Sequence, residues 1–362
     1  MKDFVHLHVH SHYSLLDGLP KIPELISAAK EKGFHSLALT DHGALYGAIE
    51  FYKLAKRNGL KPIIGVEAYL TPGNLYEKKT GLHTDYFHIV LLAKNLQGYH
   101  NLMELITISN LEGFYYRPRI DKPTLRKYRS GLIGLSACLR GEIARNLLNK
   151  NYESAKKVAL EYLEIFEPQG FYLEIQRNSD DPNQKKVNDG LLKLGSELKV
   201  PLVATNDSHY IDSADKNAQD ILVCIGTGRT VHDTDRLDMR SSNLALKSPD
   251  EMHALFSDLP EALENTVKIA ESVDLDLSLE KRHFPSFPVP RGDSSESYFE
   301  KLCRDGLKKR LNGGEIAPEI IKRLEYEMDI IKKKDYATYF LVVADIVNWA
   351  RSRGIISTTR GS

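Results

Sequence analysis

Seven short apolar segments, separated by helical patterns, run through the first two hundred residues of this 362-residue chain and limit the folds open to it. Helical patterns begin at Ile22, Ala44 and Asn183, each followed closely by the next apolar segment. Such alternation is typical of parallel βα units. It predicts an α/β fold, a TIM-like barrel of about seven strands with its site at the strand C-terminal ends; a doubly wound open sheet is the alternative. The predicted strands are FVHLHVH from Phe4, SLALTD from Ser36, PIIGVEAY from Pro62, FHIVLLAKN from Phe87, GLIGLSA from Gly131, FYLEIQ from Phe171 and PLVATND from Pro201.

Histidines are concentrated in the first predicted strand and the turn after it, at positions 6, 8, 10 and 12. Alternate residues of a strand lie on one face, so these imidazoles can converge. A His-x-His pair is a natural metal-binding element, and the following turn can bring Asp17 back to it. Taken alone, the pattern is equally well explained by a surface strand.

The other predicted strands also carry metal-ligand residue types, most of them at the strand ends. Packing explains such residues poorly, because each buried polar group needs a partner. The candidates are enough for two or three ions, and their mixture of imidazoles, carboxylates and one thiolate favours zinc, with manganese and iron as alternatives, over calcium or magnesium. Clustered divalent ions commonly support phosphoester hydrolysis. The nine candidates are His8, His10, Asp17, His42, Glu67, His88, Cys138, Asp207 and His209.

Cysteine usage and hydropathy indicate the compartment. The three cysteines, Cys138, Cys224 and Cys303, are far apart and form no C-x-x-C pair, so neither a disulfide framework nor a zinc ribbon is indicated. The N-terminus lacks a signal-peptide pattern, and no apolar run approaches about 18 residues. We therefore expect a cytoplasmic protein that does not associate with a membrane.

The alternation of predicted strands and helices ends near residue 212. Helical patterns follow, up to the proline-rich stretch HFPSFPVPRGD from His283. Two amphipathic helices are predicted after it. Lys and Arg outnumber Asp and Glu by 16 to 11 in residues 281–362, although the whole chain carries 49 of each class. The resulting division is a first domain at 1–280, a linker at 281–292 and a third segment at 293–362.

Several longer motifs resemble one family. They are HLHVHSHYSLLDG, LALTDHGALYGAIEFY, IIGVEAYL, HIVLLAKNLQGYHNL, GFYYRPRID, LSACLRGEIA and PLVATNDSHY. Together they closely resemble the polymerase and histidinol phosphatase (PHP) domain of the bacterial DNA polymerase III alpha subunit family, the replicative C-family DNA polymerases. The segment DYATYFLVVADIVNWARSRGI resembles the start of that family's polymerase palm.

This resemblance implies a distorted (β/α)7 barrel at 1–280 and an incomplete, mainly helical palm segment at 293–362. It also implies up to three metal ions, held at the positions that the nine candidate residues fill. Some family members keep the domain only as a scaffold, whereas others with a full ligand set show metal-dependent 3′ to 5′ exonuclease activity. The full set here favours the active class. A zinc-stabilised scaffold and a free-standing phosphomonoesterase of the histidinol phosphatase kind are the alternatives.

The expected partners are the 3′ end of a DNA primer and, through a full-length polymerase, replisome subunits such as the sliding clamp and the proofreading subunit. For catalysis we expect Asp207 and Glu67 to bridge or position the ions, and His209 or His42 to move protons. The aromatic and arginine segment around Tyr115, Tyr116, Arg117 and Arg119 is a candidate for holding a single DNA strand, with a packed loop as the alternative.

The end of the chain departs from the family. Where the family typically has GPGRGS, a turn that helps hold the phosphates of the incoming nucleotide, this chain has STTRGS. Arg360, Gly361 and Ser362 are retained as candidate nucleotide contacts, but both preceding glycines differ. The palm carboxylates are expected downstream, so we expect no DNA polymerisation by residues 1–362 alone.

Overall fold

The computed structural model describes residues 3–78, 86–179, 181–279, 284–312 and 314–358. They form two compact units, Met1–Leu277 and Ser278–Ser362, which are described separately. The division lies close to the domain boundary predicted after residue 280.

A curved, mixed sheet forms the centre of the first unit. Its strands follow the order β1-β2-β3-β5-β6-β7, and the short β4 pairs with β2 outside this path. Almost every strand residue is buried, as expected for strands covered on both faces. The strands are β1 (Ser36–Leu39), β2 (Lys61–Leu70), β3 (Phe87–Ala93), β4 (Arg119–Ile120), β5 (Leu132–Leu135), β6 (Phe171–Gln176) and β7 (Leu202–Thr205).

The segment at residues 4–10 closes the sheet into a barrel by bonding to β1 and the residue after it on one side, and to the loop after β7 on the other. On one side, the amides of Ala38 and Thr40 donate to the carbonyls of His6 (3.0 Å) and Val9 (2.8 Å). On the other, His10 N–H donates to Ser208 O at 2.8 Å. This segment and six of the strands therefore form a ring of seven. The TIM-like barrel predicted from the sequence is confirmed, and the open doubly wound sheet is excluded.

One strand departs from the predicted parallel arrangement. β3 runs antiparallel to both β2 and β5, whereas the other paired strands are parallel. Its register places His88 opposite Tyr69, near the C-terminal end of β2. Because of the reversal, the start of β3 lies at the end of the barrel where the neighbouring parallel strands finish. This reversal is the distortion in the barrel.

Helices follow most strands of the first unit and bury one face against the sheet. In α1, for example, Ile22, Leu25, Ile26 and Ala29 are buried, which is the spacing of one helical face. The helices are α1 (Ile22–Glu31), α2 (Ala48–Arg57), α3 (Leu96–Leu111), α4 (Lys122–Lys127), α5 (Glu142–Leu148), α6 (Tyr152–Ile165), α7 (Pro182–Leu198), α8 (Lys216–Thr227), α9 (Pro249–Leu255) and α10 (Pro260–Ser272), with a 3-10 turn at Ser213–Asp215.

The second unit consists, in its described residues, of three helices: α11 (Ser295–Arg310), α12 (Pro318–Lys333) and α13 (Ala337–Ser352). Phe299, Met328, Ala337 and Leu341 form its small buried core. Both helices predicted after the proline-rich stretch are thus present. Across the part of the chain that the structure describes, no helix is both long and apolar enough to cross a lipid bilayer.

Candidate metal centre

Metal-ligand side chains from six of the seven members of the ring, counting the loops that follow them, meet at one end of the barrel. The closing segment supplies His8 and His10, and the turn after it supplies Asp17. The others lie in or directly beside strands: His42 after β1, Glu67 in β2, His88 in β3, Cys138 after β5, and Asp207 and His209 after β7. Two of these loops contain non-glycine residues with left-handed backbones, Ala137 (φ 61°) and Asp207 (φ 52°). Such backbones are uncommon and are found disproportionately at functional sites.

Three overlapping groups of ligand atoms form the centre. Each group has its atoms within 4.8 Å of one another: His8, His10 and Asp207; His10, His42 and His209; and His42, Glu67 and His88. His10 and His42 each belong to two groups. The arrangement could therefore hold closely spaced cations that share ligands.

The remaining two candidates, Asp17 and Cys138, extend the cluster on opposite sides. Asp17 lies 3.2 Å from His42 Nε2 and 3.7 Å from His209 Nε2. Cys138 Sγ lies 3.8 Å from Glu67 Oε1 and 3.9 Å from His88 Nδ1. All nine residues singled out from the sequence thus lie in one connected cluster.

Several buried atoms of the cluster lack a hydrogen-bond partner among the described residues, although they face one another. They are Nε2 of His8, His10, His88 and His209, Nδ1 of His42, and Oδ1 of Asp17 and Asp207. Asp207 Oδ1 is 3.2 Å from His8 Nε2 and 3.3 Å from His10 Nε2, but not in hydrogen-bonding alignment. Unpaired buried polar atoms are costly, and a divalent cation would satisfy them together. The residues present therefore fit metal ions.

The electrostatics of the cluster are strongly perturbed. Burial alone would lower the pKa of His8, but Asp207, Glu174 and Glu67 raise it well above its usual value. Burial would raise the pKa of Glu67, yet His88, His8 and His42 hold it well below its usual range. Glu67 therefore stays ionised, which is the state in which a carboxylate ligates a cation, whereas His8 carries a proton that binding of a cation would release.

His10 behaves differently from His8. Burial, together with the neighbouring His209 and His42, lowers its pKa to about 3. Its imidazole is therefore neutral at physiological pH, the form in which histidine donates a lone pair to a metal.

Glu174, in the middle of β6, is a functional residue that the sequence analysis missed. Its Oε1 accepts hydrogen bonds from His8 Nδ1 (2.7 Å), Gln176 Nε2 (2.8 Å) and Thr205 Oγ1 (2.5 Å), and its side chain is fully buried. A carboxylate behind a histidine fixes the ring so that its other nitrogen faces a metal. An acidic residue inside an otherwise apolar strand was the available signal.

A cavity of about 440 Å³ opens beside the ligand cluster. Seven of the nine candidate ligands line it, with His8 and His10 lying deeper. Tyr69, Tyr86, Arg117 and Arg140 also line it, and the Arg117 guanidinium lies 5.8 Å from the centre of the Tyr69 ring. An anionic ligand that enters the cavity can therefore meet both arginines and the ligand cluster.

The predicted DNA-contact residues are only partly placed at this cavity. Arg117 lines it, but Arg119 is 1% exposed and donates to the carbonyls of Gly113 and Glu77. The Arg119 guanidinium also lies 5.2 Å from the centre of the Tyr115 ring, so its placement fits the packed-loop alternative better than contact with DNA. Tyr116 is exposed without lining the cavity. Arg360, Gly361 and Ser362 lie outside the described residues.

Comparison with known proteins places this site in a family. The model of the PHP domain matches residues 6–178, and that of the bacterial DNA polymerase III alpha NTPase domain matches residues 297–362. The chain is 47% identical to the DNA polymerase III subunit alpha of Borreliella burgdorferi and 41% identical to that of Helicobacter pylori, over 99% and 100% of its length. The chain belongs to the DNA polymerase III alpha subunit family.

The match covers only part of the family's polymerases: 31% of the Borreliella relative and 32% of the Helicobacter relative. The chain thus spans about a third of the length of these alpha subunits. Among solved structures, a protein described as a metal-dependent phosphoesterase from Bifidobacterium adolescentis aligns with 70% of this chain and 97% of its own, at 11% identity and a TM-score of 0.36.

Proposed function

We propose that the barrel of this chain is a metal-dependent phosphodiesterase that removes nucleotides from the 3′ end of DNA. The observation that carries the proposal is the set of buried ligand atoms without hydrogen-bond partners, opening into a cavity with two arginines. Imidazole, carboxylate and thiolate donors suit two or three zinc ions, with manganese or iron as alternatives. Divalent ions there supply Lewis-acid polarisation of a phosphoryl group and neutralise charge as a phosphoester breaks.

The chain's own residues then bind and orient the substrate. Arg117 and Arg140 lie on the cavity wall beside Tyr69 and Tyr86, so their guanidinium groups would hold phosphate oxygens and the tyrosine rings would contact a base or sugar. Tyr86 also lies parallel to the His88 ring, with 5.9 Å between ring centres. The aromatic wall therefore continues directly into the ligand cluster.

Two pairs of residues have the catalytic roles. Glu67 lies between His42 (2.7 Å) and His88 (2.7 Å), and Asp207 lies between His8 and His10, so these carboxylates would fix the positions of the ions. His42 and His209 contact Asp17 at the edge of the cavity, where each can hold or release a proton near the substrate.

For the whole polymerase, we propose a bacterial replicative enzyme of the cytoplasm in which this chain is the N-terminal part. DNA polymerisation, and contacts with the sliding clamp and a proofreading subunit, would belong to that longer protein. Supporting this, residues 297–362 match the polymerase family model.

The hydrolytic proposal is tested with the 362-residue chain loaded with zinc or manganese. The substrate is a primer-template whose mismatched primer is labelled at its 5′ end. We expect shortening of the primer from its 3′ end by the wild-type chain, and at least a hundredfold slower shortening by Asp207→Asn, which removes one charge from the cluster.

The matched control is Asp258→Asn. Asp258 is an exposed carboxylate that pairs with Arg177, and neither residue lines the cavity. Its substitution should leave the rate unchanged. If wild-type and Asp207→Asn chains with equal circular dichroism spectra both leave the primer intact, the metal cluster is a structural scaffold and the proposal is wrong.

A further inference from the structure

The hydroxyl of Ser14 contacts three groups in the buried region behind the ligand cluster. Its oxygen lies 2.7 Å from Asp41 Oδ1, 2.9 Å from His10 Nδ1 and 3.1 Å from the backbone nitrogen of His42. Ser14, His10 and Asp41 are all buried. One small side chain therefore touches two candidate metal ligands and a carboxylate outside the nine candidates.

A count of hydrogens fixes the direction of these bonds. The Ser14 hydroxyl has one hydrogen and two lone pairs, whereas an ionised carboxylate only accepts. Ser14 therefore donates to Asp41, and its lone pairs accept from the amide of His42 and from His10 Nδ1. His10 Nδ1 must carry a hydrogen to take part.

We propose that Ser14 and Asp41 are positioning residues that fix His10 as the Nδ1–H tautomer, so that His10 binds a metal ion through Nε2. The Nε2 atom faces Asp207 Oδ1 (3.3 Å) and Glu67 Oε2 (3.6 Å), which are the ligand atoms it would share a cation with. The opposite tautomer would point a hydrogen at that cation and make Nδ1 an acceptor, which would compete with Asp41 for the single hydrogen of the Ser14 hydroxyl. The proposal rests on the metal-binding part of the proposed function and not on hydrolysis.

Asp41 is itself held firmly, which makes it a suitable anchor. It is 2% exposed and also accepts from the Ser11 amide (2.6 Å) and the Ser11 hydroxyl (2.8 Å). Two successive hydrogen bonds thus connect Asp41 to Ser14 and Ser14 to His10. Because Ser14 also binds the amide of His42, it fixes the backbone of a second ligand whose ring centre lies 4.3 Å from that of His10.

Ser11 gives a matched control. Its hydroxyl also donates to Asp41, but its only other hydrogen bond among the described residues is with the amide of Tyr13 (3.2 Å), so it accepts from no histidine ring there. Ser11→Ala and Ser14→Ala therefore each remove one hydroxyl donor to the same carboxylate. Only Ser14→Ala removes the acceptor of His10.

The test measures ligation and protonation rather than hydrolysis. Two-bond ¹H–¹⁵N NMR spectra of the wild-type chain, with and without Zn²⁺, report which ring nitrogen of His10 carries hydrogen. We expect Nδ1 to be protonated in both states and Nε2 to be the metal-bound nitrogen in the zinc form. Competition of Zn²⁺ with a chelator should show a 10- to 100-fold loss of affinity for Ser14→Ala and less than a threefold loss for Ser11→Ala.

A wild-type His10 without hydrogen on Nδ1, in either state, overturns the proposal, as do equal affinity losses in the two alanine variants. A chain that binds no Zn²⁺ contradicts the proposed function, while the metal-free spectrum still decides the tautomer. A chain that binds Zn²⁺ but shows no nuclease activity is consistent with the Nδ1–H tautomer of His10, because this proposal does not depend on hydrolysis. If Ser14→Ala does not fold, the wild-type spectra alone decide which ring nitrogen of His10 carries the hydrogen.

Discussion

At the residue scale, Glu174 orients the candidate metal ligand His8 through the ring nitrogen that faces away from the ligand cluster. It accepts from the Nδ1 side of His8, while Nε2 of the same ring faces Asp207. Gln176 and Thr205 donate to the same oxygen of Glu174 and hold it in place. This carboxylate therefore controls both the orientation and the basicity of His8.

We predict that Glu174→Gln weakens zinc binding by about 10- to 100-fold, because the amide keeps the shape but loses the charge that increases the basicity of His8. The measurement is chelator competition followed by metal analysis of the protein. Glu264→Gln is the control, since Glu264 is exposed and pairs only with the exposed Lys268 among described residues. Unchanged affinity in Glu174→Gln would show that the charge has no effect on His8.

The buried amine of Lys247 should make the free energy of unfolding depend on pH, and Lys247 is not one of the candidate metal ligands. Burial lowers its pKa from 10.5 to about 8, and its amine donates to Asn206 Oδ1 (3.1 Å) and Asn243 O (2.7 Å), beside Asp207. Between pH 8 and 10.5 the unfolded chain holds this proton more tightly than the folded chain. The free energy of unfolding should therefore rise with pH across that window, by at most about 1.4 kcal/mol per pH unit.

Lys247→Met should flatten this slope in urea unfolding measured from pH 8 to pH 10, although its stability at pH 8 also changes through the lost hydrogen bonds. Lys268→Met, at an exposed position, should keep the wild-type slope. Equal slopes for Lys247→Met and wild type would contradict the assignment.

Residue types at strand ends allowed the nine ligand candidates to be predicted, because ligand-type side chains interrupt an otherwise apolar pattern. Glu174 escaped because it supports the ligand His8 instead of joining the cluster, a role that its position in β6 does not reveal. The placement of Arg119 could not be predicted for a different reason. An arginine among aromatics has the same sequence pattern whether it faces solvent or, as here, donates to carbonyls of its own loop.

At the scale of elements, the reversed β3 explains why His88 can join the site. An apolar strand pattern has no direction, so the sequence could not show that β3 is antiparallel. The length of the connection does not decide the direction either, because residues 71–86 are enough for a parallel crossover, which needs a dozen or more residues and usually contains a helix. Residues 71–78 and 86, the described part of this connection, contain no helix.

The close pairing of β2 with β3 predicts that Gly65→Ala is destabilising. A Cβ at Gly65 would lie 2.6 Å from Leu92 Cδ2 and 2.7 Å from the carbonyl oxygen of Leu91, so the strands would have to separate. We expect a loss of about 1–3 kcal/mol in the free energy of unfolding, measured by urea denaturation.

The contrasting substitution is Gly306→Ala in α11, where an added Cβ meets no atom within 4 Å. It should stabilise its helix by up to about 1 kcal/mol. If Gly65→Ala proves as harmless as Gly306→Ala, the strand register described here is incorrect.

At the scale of the whole molecule, the ligand cluster links distant parts of the first unit. Its ligands span His8 to His209. An ion at His8, His10 and Asp207 would join the closing segment to the loop after β7, and an ion at His42, Glu67 and His88 would join β2 to β3. Ligands that bind only the folded state add RT ln(1 + [L]/Kd) to its stability. Metal ions would therefore act on the stability of the barrel as a whole.

We predict that removal of metal by a chelator lowers the melting temperature of the wild-type chain, and that zinc at about 100 times its Kd restores roughly 2.7 kcal/mol. Differential scanning calorimetry measures the effect. The Asp207→Asn chain should respond less to both treatments. A melting curve unaffected by chelation and by zinc would mean that metal does not bind the folded barrel.

The closing segment also sets the order of events when the chain is made. Residues 4–10 leave the ribosome before the rest of the barrel, and the loop that they bond to, around Ser208, is made about two hundred residues later. At a translation rate of roughly 5–20 residues per second, residues 4–10 are synthesised on the order of ten to forty seconds before the loop around Ser208. During translation, His8 and His10 are therefore present long before Asp207 and His209 complete their metal site, and the barrel can close only when most of the first unit already exists.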